Sequence, residues 1–170
     1  MAAERIVVIG VGSELHGDDA VGIVVARRVL ELGPLPENVS LIEGHTGGLD
    51  LLFEIEDAER AILIDAVDFG GEPGQIEVFD AEDADIHLTQ RVASLHHVSL
   101  ADVLELGRTT GLQVRITIVG LQPADTALGL GLSEPVAAQV DRAAGIVRSL
   151  IEGAEPAPGP GRSFDDRVEG

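Results

Sequence analysis

The chain has 170 residues, enough for one domain with a sizeable core. Its 30 acidic residues against 11 basic ones leave a formal charge of −19, which disfavours nucleic acid and anionic membrane as partners. There is no Cys, hence no disulfide framework, thiolate nucleophile or Cys-ligated zinc, and with four Phe as the only aromatics the core must be Val, Ile, Leu and Ala.

Glu4 interrupts any signal-peptide pattern, and no apolar run reaches membrane-spanning length, so a cytoplasmic protein is expected. Ile6-Val7-Val8-Ile9 is a short β-branched run and reads as a buried strand. Gly10 and Gly12 follow and permit a tight turn. Asp18 is placed to N-cap a helix beginning near Asp19, with Val21, Val24, Val25, Val29 and Leu32 on one stripe. Leu32-Gly33-Pro34 stops it.

Val39 to Glu43 reads as a second strand and Gly44 to Gly48 as a loop. Leu49 to Ile55 reads as a short helix with Leu49, Leu52 and Phe53 on one side. Ala61 to Val67 is an apolar run broken only by Asp65, the pattern of a strand covered on both faces. Gly70 to Gly74 is a turn, and Ile76, Val78 and Phe79 suggest a fourth strand. Its short connection predicts antiparallel pairing with the third.

An acidic loop follows at Asp80 to Asp85. Ser94 to Gly107 reads as a helix capped by Ser94; Ser99-x-x-Asp102 also has capping-box spacing and would start it a turn later. Val114 to Gly120 alternates like a strand, and Leu121 to Ser133 is a loop rich in Gly and Leu. Pro135 starts the last helix, with Val136, Val140, Ala144 and Val147 on one stripe. Pro, Gly and charge dominate from Ala154, so residues 1–153 are expected to form the domain and 154–170 a disordered acidic tail.

Strands alternate with helices through most of the chain. That pattern predicts a single three-layer α/β/α domain, with a mostly parallel twisted sheet of about five strands and one antiparallel strand. Sites in such sheets form beyond the carboxyl ends of the strands. The opening loop, the Glu43 to Gly48 loop and Asp65 should share that rim.

The Gly10-x-Gly12 turn admits a pyrophosphate-cradling reading. Leu15 stands where the third glycine should be, Asp18 and Asp19 put negative charge where the phosphate would sit, and no Lys completes a phosphate loop. A second reading is a cation site, with one Asp capping the helix and the other acting as a ligand. A third is that both acids only cap the helix and complement its dipole. Asp65 would be costly to bury unpaired, so it should face a cation, a donor or water, or else accept N–H groups of its own turn. His96 and His97, taken alone, read equally as surface residues of a helix start.

Together these residues form a pattern. Gly10-x-Gly12-x-x-Leu15-x-x-Asp18-Asp19-x-x-Gly22, then Asp65-Ala66, then Ser94-x-His96-x-x-Ser99-Leu100-x-Asp102-Val103-Leu104 resembles the hydrogenase maturation proteases, the endopeptidases that process the large subunit of [NiFe] hydrogenases. Gly120-Leu121-Gln122-Pro123 and Gly131-Leu132-Ser133-x-Pro135-Val136 are similar to that family's later motifs. The resemblance runs over about residues 5 to 150. It implies an α/β/α fold and three metal-contacting side chains, which fall on Asp19, Asp65 and His96. Ser13 stands where the family usually has Asn, while Glu14, His16 and His45 add polar groups to loops that are often apolar or small.

The resemblance further implies that the ion is the nickel already inserted in a large-subunit precursor. The protease would recognise it and remove a short C-terminal extension. Two carboxylates and an imidazole would leave positions open on a divalent first-row metal. Bond cleavage is open between a metal that polarises the carbonyl or activates water and a general base, Asp19 or Asp65, as in an aspartyl endopeptidase. The alternatives are a non-catalytic dinucleotide-binding module using Gly10-x-Gly12, with Glu43 holding a ribose, and a relative that binds nickel or precursor without cutting. Nothing in the chain demands more than a monomer.

Overall fold

The computed structural model of the chain describes residues 2–45, 50–81 and 100–155. Strands β1 (Ile6–Val11), β2 (Val39–His45), β3 (Arg60–Ala66), β4 (Ile76–Asp80) and β5 (Arg115–Leu121) form one sheet in the order β2-β1-β3-β5-β4. All neighbours are parallel except β4, which runs antiparallel to β5. The helices are α1 (Val21–Glu31), α2 (Asp50–Ile55), α3 (Leu100–Thr109), α4 (Glu134–Ala137) and α5 (Val140–Ile151).

Side chains alternate across each strand, so the sheet has two apolar faces. Ile6 and Val8 of β1, Ile62 and Ile64 of β3, and Val119 and Leu121 of β5 pack with Val21, Val25, Ala26 and Val29 of α1 and Ala143, Ala144, Val147 and Leu150 of α5. Val7, Ile9, Ala61, Leu63 and Ile118 point the other way and pack with Leu51 and Ile55 of α2. The domain is therefore the expected three-layer α/β fold. Each fully buried Val, Ile or Leu contributes about 1.5–3 kcal/mol, which makes these two aliphatic layers the main stabilising term.

One close approach sets the geometry of the rim. A Cβ at Gly22 in α1 would strike the carbonyl oxygens of Val11 and Ile64, and a Cβ at Gly10 would strike the Gly22 carbonyl and Ala26. Both glycines let α1 lie directly on β1 and β3. The helix start is thereby drawn against the carboxyl ends of the two strands.

Several local expectations need correction. The fourth strand pairs with β5, not with the third: residues 67–75 cross the carboxyl end of β5, held by Val67 N–H to Leu121 O at 3.0 Å and Gln122 N–H to Gln75 O at 2.9 Å. Gly44 and His45 end β2 rather than begin a loop. In α2 the buried residues are Leu51 and Ile55, Leu52 packs against the same cluster as expected, and Phe53 is exposed; Leu49 lies outside the described residues. Leu32 is exposed past the end of α1, while Ile23 and Ala26 are buried within it. Helix α3 continues through Gly107 to Thr109, and Gly111 takes the left-handed conformation beyond it. The single last helix is two, α4 and α5, with Gln139 at the junction. The expected helix start at Ser94, the acidic loop beyond Ala81 and the tail beyond Glu155 lie outside the described residues.

Candidate active site at the carboxyl edge of the sheet

After β1 the chain turns through Gly12 into a single 3-10 turn, Gly17–Ala20, which carries Asp18 and Asp19. Gly12 has φ +145, and a Cβ there would collide with the Asp19 carbonyl oxygen, so the turn requires glycine. The Ser13 N–H donates to Asp19 Oδ2 at 3.0 Å. This fixes the carboxylate under the loop, with Asp19 only 6% exposed.

Asp65 is the second-last residue of β3 and lies opposite Gly120 of β5. It is 3% exposed. Burial, and then the neighbouring Asp19 charge, hold its carboxyl well above the usual carboxylate range, against a smaller opposing effect of the Ala66 N–H. Strand β3 and the α1 entrance thus bring together two carboxylates from residues far apart in sequence. Both are buried, and the charge of one resists ionisation of the other. This is the electrostatic condition that a bound cation or a shared proton relieves.

The third residue of the expected set, His96, lies outside the described residues, as do His87 and His97. Among the described residues no three His, Asp or Glu side chains gather into a metal-holding group. The Asp19–Asp65 pair stands there as two acids.

Asp18 does not cap a helix. Neither the 3-10 turn nor α1 has a side-chain cap. Asp18 instead points, fully buried, into the loop after β5. Its Oδ1 accepts the Ser133 N–H at 2.7 Å; its Oδ2 accepts the Ser133 hydroxyl at 2.7 Å, the Ala124 N–H at 2.8 Å and the Asp125 N–H at 3.1 Å. Burial raises its pKa, but the Ser133 hydroxyl and the three backbone donors outweigh that and hold the carboxyl below its ordinary value. A capping signal was the local reading because the donors come from the far end of the chain.

Two positioning residues carried no chemical reading in sequence. Ser133 closes the Asp18 contact. Gln122 accepts the Phe69 and Gly71 N–H groups on Oε1 at 3.0 and 3.1 Å, and donates from Nε2 to Asp68 at 3.1 Å. It thereby fixes the loop that leaves Asp65. Both residues fall within the late Gly120-Leu121-Gln122-Pro123 and Gly131-Leu132-Ser133 motifs, which were the available signal.

The residues a dinucleotide would need are committed elsewhere. Gly10 and Gly12 serve close backbone contacts, and Ser13 N–H is taken by Asp19. Glu43 accepts from Arg27 Nε at 2.6 Å, and the same guanidinium reaches Glu14 at 2.7 Å. The dinucleotide reading is not favoured.

With this geometry in hand, comparison with known proteins is decisive at the level of family. The profile of the hydrogenase maturation proteases, HycI, matches residues 23–150. The hydrogenase expression/formation protein HupD of Rhodobacter capsulatus is 37% identical over 150 residues, covering 86% of this chain and 71% of that protein. The hydrogenase 2 maturation protease of Escherichia coli K12 is 32% identical over 141 residues, covering 82% and 85% respectively. The solved structure of the hydrogenase maturating endopeptidase HybD from E. coli superposes with a TM-score of 0.76 at 29% identity, covering 91% of this chain and 97% of that one. The fold of this chain is shared with that endopeptidase over nearly its whole length. The chain belongs to the hydrogenase maturation protease family.

Proposed function

We propose that the protein is the endopeptidase that removes a C-terminal extension from the nickel-loaded large-subunit precursor of a [NiFe] hydrogenase, recognising the bound nickel. The precursor's nickel is substrate, contacted by Asp19, Asp65 and His96. One observation carries the reading. Two buried carboxylates at the strand ends, one raising the pKa of the other, form a place where an arriving cation converts repulsion into binding. Asp19, or Asp65 once the arriving cation has displaced its proton, would act as the general base toward the attacking water. As part of the same proposal, the protein acts as a monomer in the cytoplasm.

The test is incubation with nickel-loaded and nickel-free precursor, followed by mass spectrometry of the large subunit. The loaded form should lose its C-terminal extension and the nickel-free form should not. No shortening of either form, or equal shortening of both, contradicts the proposal.

A further inference from the structure

Three leucines beside the site are exposed: Leu15 at 58%, Leu128 at 80% and Leu130 at 84%. They sit on two loops that the backbone joins. Gly129 N–H donates to Leu15 O at 2.8 Å, Gly17 N–H donates to Gly129 O at 3.0 Å, and His16 and Gly129 form a parallel bridge. The same Leu128–Leu130 loop is anchored at Ala124, Asp125 and Ser133 by the buried Asp18 carboxylate. Loop tips normally carry polar residues, yet here apolar ones are held out on a braced backbone.

From this we infer that Leu15, Leu128 and Leu130 form a docking lip for an apolar segment of the large-subunit precursor that is flanked by basic side chains. The inference rests on the proposed function. Charge selects the occupant. Asp125 and Glu134 flank the Leu128–Leu130 loop in the chain and are exposed, on a protein of net charge −19, while Glu14 beside Leu15 is already paired with Arg27. A second copy would set acid against acid around the patch, whereas an apolar strip with Lys or Arg at its edges matches both the patch and its rim. The lip adjoins the 3-10 turn that carries Asp19, so a segment seated on it lies next to the carboxylate pair.

The test uses the full chain and purified nickel-loaded precursor. Leu128→Asp/Leu130→Asp and, as a milder change, Leu128→Gln/Leu130→Gln are assayed beside the wild type, with circular dichroism confirming the fold. KM for the precursor should rise tenfold or more in the Asp variant and less in the Gln variant, with kcat within twofold of wild type. KM of the wild type should also rise with salt, as basic flanks require. An unchanged KM in folded variants overturns the inference, whatever happens to kcat. So does a wild-type dimer that the variants abolish, because the occupant is then a second copy. Should the wild type fail to cut the precursor, direct titration of precursor onto the wild type and the Asp variant still decides: weaker binding by the variant upholds the lip and leaves only the activity in doubt, and equal binding overturns it.

Discussion

Asp18 grips Ser133 with both carboxylate oxygens, each at 2.7 Å, across 115 residues of chain. It accepts two more backbone N–H groups in the same loop. Removing the carboxylate leaves several donors without an acceptor in a buried setting. Asp18→Ala should therefore cost on the order of 3 kcal/mol. Because the folded pKa lies below the ordinary value, the contribution of Asp18 is fully present above about pH 4 and is lost as pH falls through the folded value. Urea unfolding from pH 7 down to pH 3 checks both points. Asp18→Asn should show a shallower loss of stability over that range than the wild type.

Asp65 has the opposite sign. The unfolded chain releases this proton at about pH 4, while the folded protein keeps it to higher pH. The folded state therefore binds more protons across that window, and the stability attributable to Asp65 falls as pH rises through it. Asp65→Asn should be more stable than the wild type at pH 7, by roughly 1 kcal/mol, and no more stable below pH 4. It should have lost proteolytic activity. Parallel stability–pH curves for the two proteins would contradict this account of the pair.

Gly22 should tolerate nothing larger. A methyl group there meets two carbonyl oxygens that belong to β1 and β3, and neither strand can retreat without breaking the sheet. Gly22→Ala should destabilise by about 3 kcal/mol or more, even though Ala is the better helix former. Thermal unfolding measures it. The exposed Gly145 of α5, where a Cβ meets nothing, is the control, and Gly145→Ala should be neutral or slightly stabilising.

Legibility in the sequence followed the range of the interactions. The strands of the parallel core could be read because each is a continuous aliphatic run, and Asp65 stood out against its own run. The pairing of β4 could not. Its short connection to β3 suggests a hairpin, but β5 enters between them and takes the β3 edge. Only the fold shows which strand is central: Val119 of β5 is fully buried, while β4 at the edge is mostly half-buried. Asp18 is ambiguous in sequence for a related reason: a carboxylate before a helix looks like a cap until its donors, more than a hundred residues away, are known. Asp19 and Asp65 were legible as candidates through the family resemblance, and their mutual effect needed coordinates.

Gln122 offers a test of positioning separate from chemistry. Its side chain holds Phe69, Gly71 and Asp68 in the loop that follows Asp65. Gln122→Leu should strand two N–H donors, at a cost of about 2 kcal/mol. It should also lower kcat, by loosening the loop rather than removing a reacting group. Gln122→Glu, which keeps an acceptor for Phe69 and Gly71, should recover part of the stability. A Leu variant as stable and active as the wild type would contradict the role.

The central claim is that the Asp19–Asp65 pair grips the nickel of the precursor, and nickel K-edge X-ray absorption of the precursor, free and bound to the protein, tests it directly. Binding to the wild type should add oxygen ligands to the nickel, and binding to an Asp19→Ala/Asp65→Ala protein should not. A nickel spectrum that stays the same on binding the wild type, while the C-terminal extension is still removed, would contradict the claim.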